Sequence, residues 1–145
     1  MIEINSELEM RKFGAKIGTQ LNGGEVIQLV GDIGAGKTTL VKGIAEGLGI
    51  NDDVQSPSYT LSRIYDARDD LRLAHYDFYR LEEAGIMANE LDEDISDPQT
   101  ITVIEWADII KSVLPNRHAT VKIKSVSESS RQLLIDDPEK VLAGL

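Results

Sequence analysis

At 145 residues and 16.0 kDa, with 41% hydrophobic and 28% charged residues, the chain suits one domain with a packed core and argues against wholesale disorder. Its 25 acidic residues stand against 15 basic ones, a formal charge of −10, which argues against unaided binding to DNA or any other nucleic-acid backbone. The absence of cysteine excludes disulfides, thiolate–zinc sites and cysteine nucleophiles, and no run approaches the ~20 apolar residues of a membrane span.

The start, Met1-Ile2-Glu3-Ile4-Asn5, lacks the basic-then-apolar pattern of a secretory signal, so a soluble cytoplasmic setting without membrane contact is expected. Asn5 to Leu21 reads as a helix, with Ser6 and Glu9 at capping-box spacing and Leu8, Phe13, Ile17 and Leu21 at helical intervals. Gly14 and Gly18 weaken it but suit close packing. Asn22-Gly23-Gly24 is a turn signal, and Val26 to Val30 is a short apolar run bounded by glycine, as a buried strand requires. Thr38 to Leu48 reads as a helix with Leu40, Val41, Ile44 and Leu48 on one side and Gly49 past its end. Asn51 to Ser58 is loop-like. Tyr59–Asp66 and Leu71–Phe78 flank Ala67-Arg68-Asp69-Asp70 as a hairpin would. Ile101 to Ile104 is another strand, followed by a short helix around Ala107 to Val113. Thr120–Val126 and Arg131–Ile135 form a second expected hairpin, and Asp137-Pro138-Glu139 suits the start of a short C-terminal helix. Between Arg80 and Lys111 there is no Lys or Arg, while Glu82, Glu83, Glu90, Asp92, Glu93, Asp94 and Asp97 crowd together. Such a stretch is either a solvated surface or a docking face for a basic partner.

Gly31-Asp32-Ile33-Gly34-Ala35-Gly36-Lys37-Thr38 fits G-x-x-x-x-G-K-[ST] at every position, between an expected strand and an expected helix. Glycines allow successive N–H groups to converge on phosphate oxygens, and the following helix presents its positive end to the same anion. Lys37 is expected to reach the β- and γ-phosphates and Thr38 to ligate Mg²⁺. A guanine-reading N-K-x-D is absent. The metal shell needs a carboxylate opposite Thr38, and Glu105 stands where the run Ile101–Ile104 ends. In His75-Tyr76-Asp77-Phe78-Tyr79-Arg80, strand alternation puts Leu71, Leu73, His75 and Asp77 on one face. Asp77 there either holds a metal water or orients the attacking water, or else pairs with Arg80 or caps the next element. His75 reads as a hydrogen-bonded structural group more than as a base. Trp106, the only tryptophan, is by default a packing residue, but its place beside Glu105 makes it a candidate reporter of nucleotide binding.

Together these segments resemble the bacterial TsaE (YjeE) family of small P-loop ATPases needed to make threonylcarbamoyladenosine in tRNA. The matching pieces are Gly31 through Thr39, Ser56-Pro57-Ser58-Tyr59-Thr60, His75 through Arg80, and Ile104-Glu105-Trp106; beyond them only Arg131 fits the family pattern. Ser58 stands where the family usually has Thr and keeps a hydroxyl. The resemblance implies nucleotide contacts from Gly34, Ala35, Gly36, Lys37, Thr38 and Thr39, Mg²⁺ held by Thr38 and Glu105, and a requirement for Asp77. It also implies a nucleotide-sensitive loop at Ser56, Pro57, Ser58 and Thr60, and Leu8 against the adenine. The implied partners are TsaB and TsaD, with tRNA reached only through that complex and the carbamoyl group transferred elsewhere. A small-molecule kinase and a non-catalytic nucleotide-gated module are the alternatives. The internal arginine-finger candidates Arg63, Arg68, Arg72 and Arg80 have no distinguishing context. The expected fold is α/β: one P-loop NTPase domain, 1–145, around a central mixed sheet. Parallel strands flank the P-loop, Val26–Val30 and Ile101–Ile104 are neighbours near its centre, and the hairpin strands are antiparallel.

Overall fold

A computed structural model describes residues 1–32, 34–55, 57, 62–78, 87–106 and 114–142. Its elements in chain order are β1 (Ile2–Ile4), α1 (Glu7–Gln20), β2 (Val26–Val30), α2 (Lys37–Gly47), β3 (Ser62–Asp66), β4 (Arg72–Asp77), α3 (Met87–Ser96), β5 (Thr100–Glu105), β6 (Ala119–Ser125) and β7 (Arg131–Asp136). The strands form one seven-stranded α/β sheet in the order β1-β7-β6-β2-β5-β4-β3. β2 lies at its centre, parallel to both β5 and β6, and β4 runs parallel to β5. β3 closes one edge and β7 with β1 the other, all antiparallel. The expected neighbours Val26–Val30 and Ile101–Ile104 are therefore adjacent, in the register Val26↔Thr102 to Leu29↔Glu105.

The buried strands carry apolar side chains on both faces, as parallel strands covered on both sides do. Ile27, Leu29, Leu73, Ile101, Val103 and Val121 pack with Met10 and Ile17 of α1 and Leu40, Val41 and Ile44 of α2. The alternate residues Val26, Ala74, Tyr76 and Ile104 pack with Phe78 and with Leu91 of α3. The predicted alternation in β4 is thus observed, with Leu73, His75 and Asp77 facing the α1–α2 layer.

Local signals acted as physical chemistry requires. Ser6 caps α1 by accepting from the Glu9 amide at 3.0 Å, and the Glu9 carboxylate reaches back to the Asn5 amide at 2.6 Å. The helix glycines are used for contact: a Cβ on Gly14 would lie 2.5 Å from the Leu40 carbonyl and 2.9 Å from Gly43 Cα. Each glycine costs about 0.5–1 kcal/mol of helix propensity. The return is backbone-to-backbone approach, which holds α1 directly on the helix that follows the P-loop.

Three features depart from expectation. β1 was not expected; its three residues gain strand character only by pairing with β7, at Ile2↔Leu133 to Ile4↔Arg131. α3 forms inside the acidic stretch, its apolar side chains Leu91 and Ile95 turned onto the sheet and its Asp94 buried beneath. The C-terminal helix expected at Asp137 does not form within residues 137–142, which make turns instead. The Asp137 carboxylate accepts the Val141 and Leu142 amides at 2.7 and 2.8 Å, and Lys140 takes a positive φ of 54° that interrupts any helical ladder. The helix expected at 107–113 and the hairpin residues 59–61 lie outside the described residues. The hairpin itself closes through positive φ at Asp69 and Asp70 (57° and 62°), a conformation aspartate tolerates better than most residues.

Candidate nucleotide-binding site

β2 delivers the chain to the middle of the sheet edge, and α2 leaves from the same place. Between them Gly34 and Gly36 take φ of 82° and 109°, and among the described residues no side chain caps the first turn of α2. Its leading N–H groups and the positive end of its dipole are therefore open to an anion. A Cβ on Gly34 would meet nothing within 4 Å, whereas the Ala35 methyl is buried and its amide closes a turn on the Asp32 carbonyl at 3.0 Å. Thr38 and Thr39 follow in that first turn, both half-buried.

Lys37 is 7% exposed. Its ammonium donates to the Gly31 carbonyl and, at 3.3 Å, to that of Asp32, and it stands 4.4 Å over the Trp106 ring. A cation on the face of an indole is attracted by the ring quadrupole. Trp106 reaches that position directly after β5, with a positive φ of 57° that is uncommon for a bulky residue, and it also packs on the α3-side cluster. Trp106, singled out in the sequence for its place beside Glu105, is thus in contact with the lysine of the glycine-rich loop.

The two candidate carboxylates end adjacent parallel strands. Asp77 and Glu105 are register partners, and Glu105 is also the partner of Leu29, two residues before the P-loop begins. Both are buried, at 4% and 3% exposure. His75 is fully buried on the same face, with Nε2 2.6 Å from Glu105 Oε2. A carboxylate can only accept, so Nε2 donates, and Nδ1 has no hydrogen-bond partner among the described residues. His75 is hydrogen-bonded, as the sequence suggested, and its partner, Glu105, is what the sequence did not reveal.

Arg131, at the start of β7, donates from Nε to the Ala35 carbonyl at 3.0 Å and from Nη2 to that of Gly34 at 3.4 Å. Leu8 is 61% exposed in the first turn of α1, where Met10 extends toward Gly36. Pro57 is buried, while Ser56, Ser58 and Thr60 of the expected switch loop lie outside the described residues, as does Arg80. Of the finger candidates, Arg68 and Arg72 are engaged away from the P-loop. Arg68 Nη2 donates to the Gly18, Thr19 and Leu21 carbonyls at the end of α1, and Arg72 pairs with Asp94 and Asp97 at the start of β4 and β5. Arg63 is exposed on β3, opposite His75.

The chemistry of this donor set fits a nucleotide with a hard divalent cation. A threonine hydroxyl and a strand-end carboxylate offer oxygen ligands, and the uncapped helix start with one lysine offers donors for phosphate.

Comparison with known proteins identifies the family. The family model described as threonylcarbamoyl adenosine biosynthesis protein TsaE matches residues 4–133. The tRNA threonylcarbamoyladenosine biosynthesis protein TsaE of Treponema pallidum is 32% identical over 130 residues, spanning 90% of this chain and 95% of that protein. Its counterpart in Bacillus subtilis is 40% identical over 110 residues, 76% of this chain and 68% of that one. The crystal structure of Bacillus subtilis YdiB superposes with a TM-score of 0.77 at 28% identity, covering 94% of this chain and 83% of that chain. The chain belongs to the TsaE family of tRNA threonylcarbamoyladenosine biosynthesis proteins.

Proposed function

We propose that this protein is a Mg²⁺-dependent ATPase of the cytoplasm that serves, as an accessory subunit beside TsaB and TsaD, the formation of threonylcarbamoyladenosine in tRNAs reading codons that begin with adenine. It does not itself transfer the threonylcarbamoyl group. One observation carries the reading: an uncapped α2 with Lys37 at its start stands beside two buried carboxylates, Asp77 and Glu105, that share one register level on adjacent parallel strands. The net charge of −10 fits a subunit that reaches tRNA through its partners. No helix among the described residues is long and apolar enough to cross a membrane.

In this reading residues Gly34, Ala35, Gly36, Lys37, Thr38 and Thr39 surround the phosphates, and the exposed Leu8 lies against the base. Lys37 leaves the Gly31 and Asp32 carbonyls for the β- and γ-phosphates, exchanging neutral acceptors for charged ones. Thr38 and Glu105 would hold Mg²⁺, which when bound supplies neutralisation of the charge developing on the phosphoryl oxygens. His75 fixes one oxygen of Glu105 and so orients the carboxylate, as outer hydrogen-bond partners of ligating groups do. Asp77, next to Glu105 in register, orients the attacking water. Residues 56–60 respond to the nucleotide.

Phosphoryl transfer is mainly positioning and charge stabilisation, and an arginine finger is worth ~10³–10⁵ in rate. Arg68 and Arg72 are committed to structural acceptors, so slow hydrolysis by the isolated chain and faster hydrolysis with the partners are expected. The deciding experiment is phosphate release from ATP by the purified chain, alone and with TsaB and TsaD, with Lys37→Ala as the blank. Stimulation that disappears in the blank supports the proposal. ATP binding with equal, negligible hydrolysis in both settings would replace it with a non-catalytic, nucleotide-gated module.

A further inference from the structure

We infer that Arg131 is a positioning residue of the phosphate-binding loop, and that the β6–β7 turn at residues 126–130 is the support from which it acts. The inference rests on the nucleotide-binding reading above and adds to it a part of the chain outside the P-loop and its carboxylates.

One guanidinium here serves five backbone carbonyls. Two belong to the loop, Ala35 at 3.0 Å and Gly34 at 3.4 Å; three belong to the turn, Ser127 at 2.9 Å, Ser130 at 3.0 Å and Glu128 at 3.4 Å. The turn is braced in itself, since the Val126 and Ser127 amides both donate to the Ser130 carbonyl, at 3.0 and 3.3 Å, and the Ser130 amide donates to Ser127 Oγ at 3.1 Å. It also reaches the start of α1, where Ser130 Oγ donates to Asn5 Oδ1 at 3.3 Å. Arginine suits this task because its donors form a rigid planar fork that stays charged at any working pH.

The consequence for the loop follows from peptide planarity. In a trans peptide the carbonyl and the next residue's N–H point in opposite directions. Holding the Ala35 carbonyl toward Arg131 therefore turns the Gly36 N–H to the other side, toward the open start of α2. Holding the Gly34 carbonyl likewise turns the Ala35 N–H away from Arg131, consistent with its turn bond to Asp32. Glycines at 34 and 36, with their positive φ, leave this segment with many alternative conformations. Arg131 removes that freedom before the phosphate arrives, which is how preorganisation raises affinity.

The test compares the full chain with Arg131→Lys and Arg131→Gln in two measurements. The first is amide exchange in the nucleotide-free protein. The Ala35 amide, which donates to the Asp32 carbonyl, should exchange at least about 10-fold faster in Arg131→Gln, while those of β2 and β5 keep wild-type protection. The second is ADP affinity by titration calorimetry, with an expected rise in Kd of about 10–30-fold, the loss of one or two charge-assisted hydrogen bonds. Arg131→Lys keeps the charge without the fork and should recover little of either effect. A folded variant with wild-type exchange at the Ala35 amide, or with a Kd within about twofold of wild type, overturns the inference. So does uniform loss of protection across the sheet, or failure of both variants to fold, because either makes Arg131 a general structural residue. Failure of the wild-type chain to bind ADP would instead overturn the nucleotide-binding reading, and the exchange measurement would still decide whether Arg131 orders the loop.

Discussion

The two ends of the parallel strands both gather charge, but they use it differently. At the starts of β4 and β5, Arg72 lies 3.4 Å from Asp97 and 3.7 Å from Asp94, and Thr100 and the Gln99 amide complete the Asp97 shell at 2.8 and 3.1 Å. Asp94 in turn accepts from Tyr76, whose hydroxyl is held protonated by burial first and by that carboxylate second. Nearby, Arg68 supplies the cation that the last turn of α1 lacks, 50 residues away in sequence from the Gly18 carbonyl it binds. At the opposite end, Lys37 and Arg131 donate to backbone carbonyls of the loop, and among the described residues neither forms an ion pair with a carboxylate. An end whose charges neutralise one another holds α1 and α3 on the sheet. At the other end the lysine rests on neutral acceptors, which in the proposed function it exchanges for a phosphate.

The largest expected effect is at Lys37. Lys37→Ala should lower ATP hydrolysis about 10²–10³-fold, the usual cost of removing one preorganised donor. It should also remove the response of Trp106 fluorescence to ATP, since the ammonium 4.4 Å over that ring is gone. An unchanged fluorescence response would detach Trp106 from the nucleotide site. Next is Glu105→Gln, which keeps the shape and the His75 contact but not the charge. Mg²⁺-dependent hydrolysis should drop about 10²-fold, while ADP affinity without Mg²⁺ stays near wild type. Equal losses with and without metal would show that Glu105 supports the loop and does not hold the ion.

At the other end the effects should fall on stability alone. Arg68→Ala leaves the Gly18, Thr19 and Leu21 carbonyls without their donor, a loss of about 1–3 kcal/mol, seen as a melting temperature lower by several degrees with ATP affinity unchanged. A shift in ATP affinity would blur the division between the two ends. The smallest effect is at Asp97, whose carboxyl is held below its ordinary value of 3.8, chiefly by the Gln99 amide and then by Thr100. With the folded pKa depressed, its contribution is present above about pH 4 and is lost as pH falls through the folded value. Asp97→Asn should therefore lower stability slightly at neutral pH, with the difference from wild type closing as pH falls below about 4, as followed by denaturation at a series of pH values.

Much of the fold and the centre of the candidate site were legible in the residues because their signals are local. Ser6 and Glu9 start α1, Val26–Val30 is apolar between glycines, and the P-loop spacing is contiguous. The alternation Leu73-His75-Asp77 likewise needs only the period of a strand. β1 and α3 escaped because neither carries its own signal: three residues make a strand only when β7 supplies hydrogen bonds, and the acidic α3 shows its purpose only where Leu91 and Ile95 meet the sheet.

The sequence by itself determined the groups on offer: a glycine-rich loop with G-x-x-x-x-G-K-T spacing, its lysine and threonine hydroxyl, and two strand-end acids. Tertiary structure alone decided which groups meet. Parallel pairing of β4 with β5 brings His75 to Glu105, 30 residues away, and the sheet order carries Arg131 to Ala35 across 96. Strand register and helix packing are cooperative properties of the whole sheet, whereas periodicity and capping depend only on neighbours in the chain.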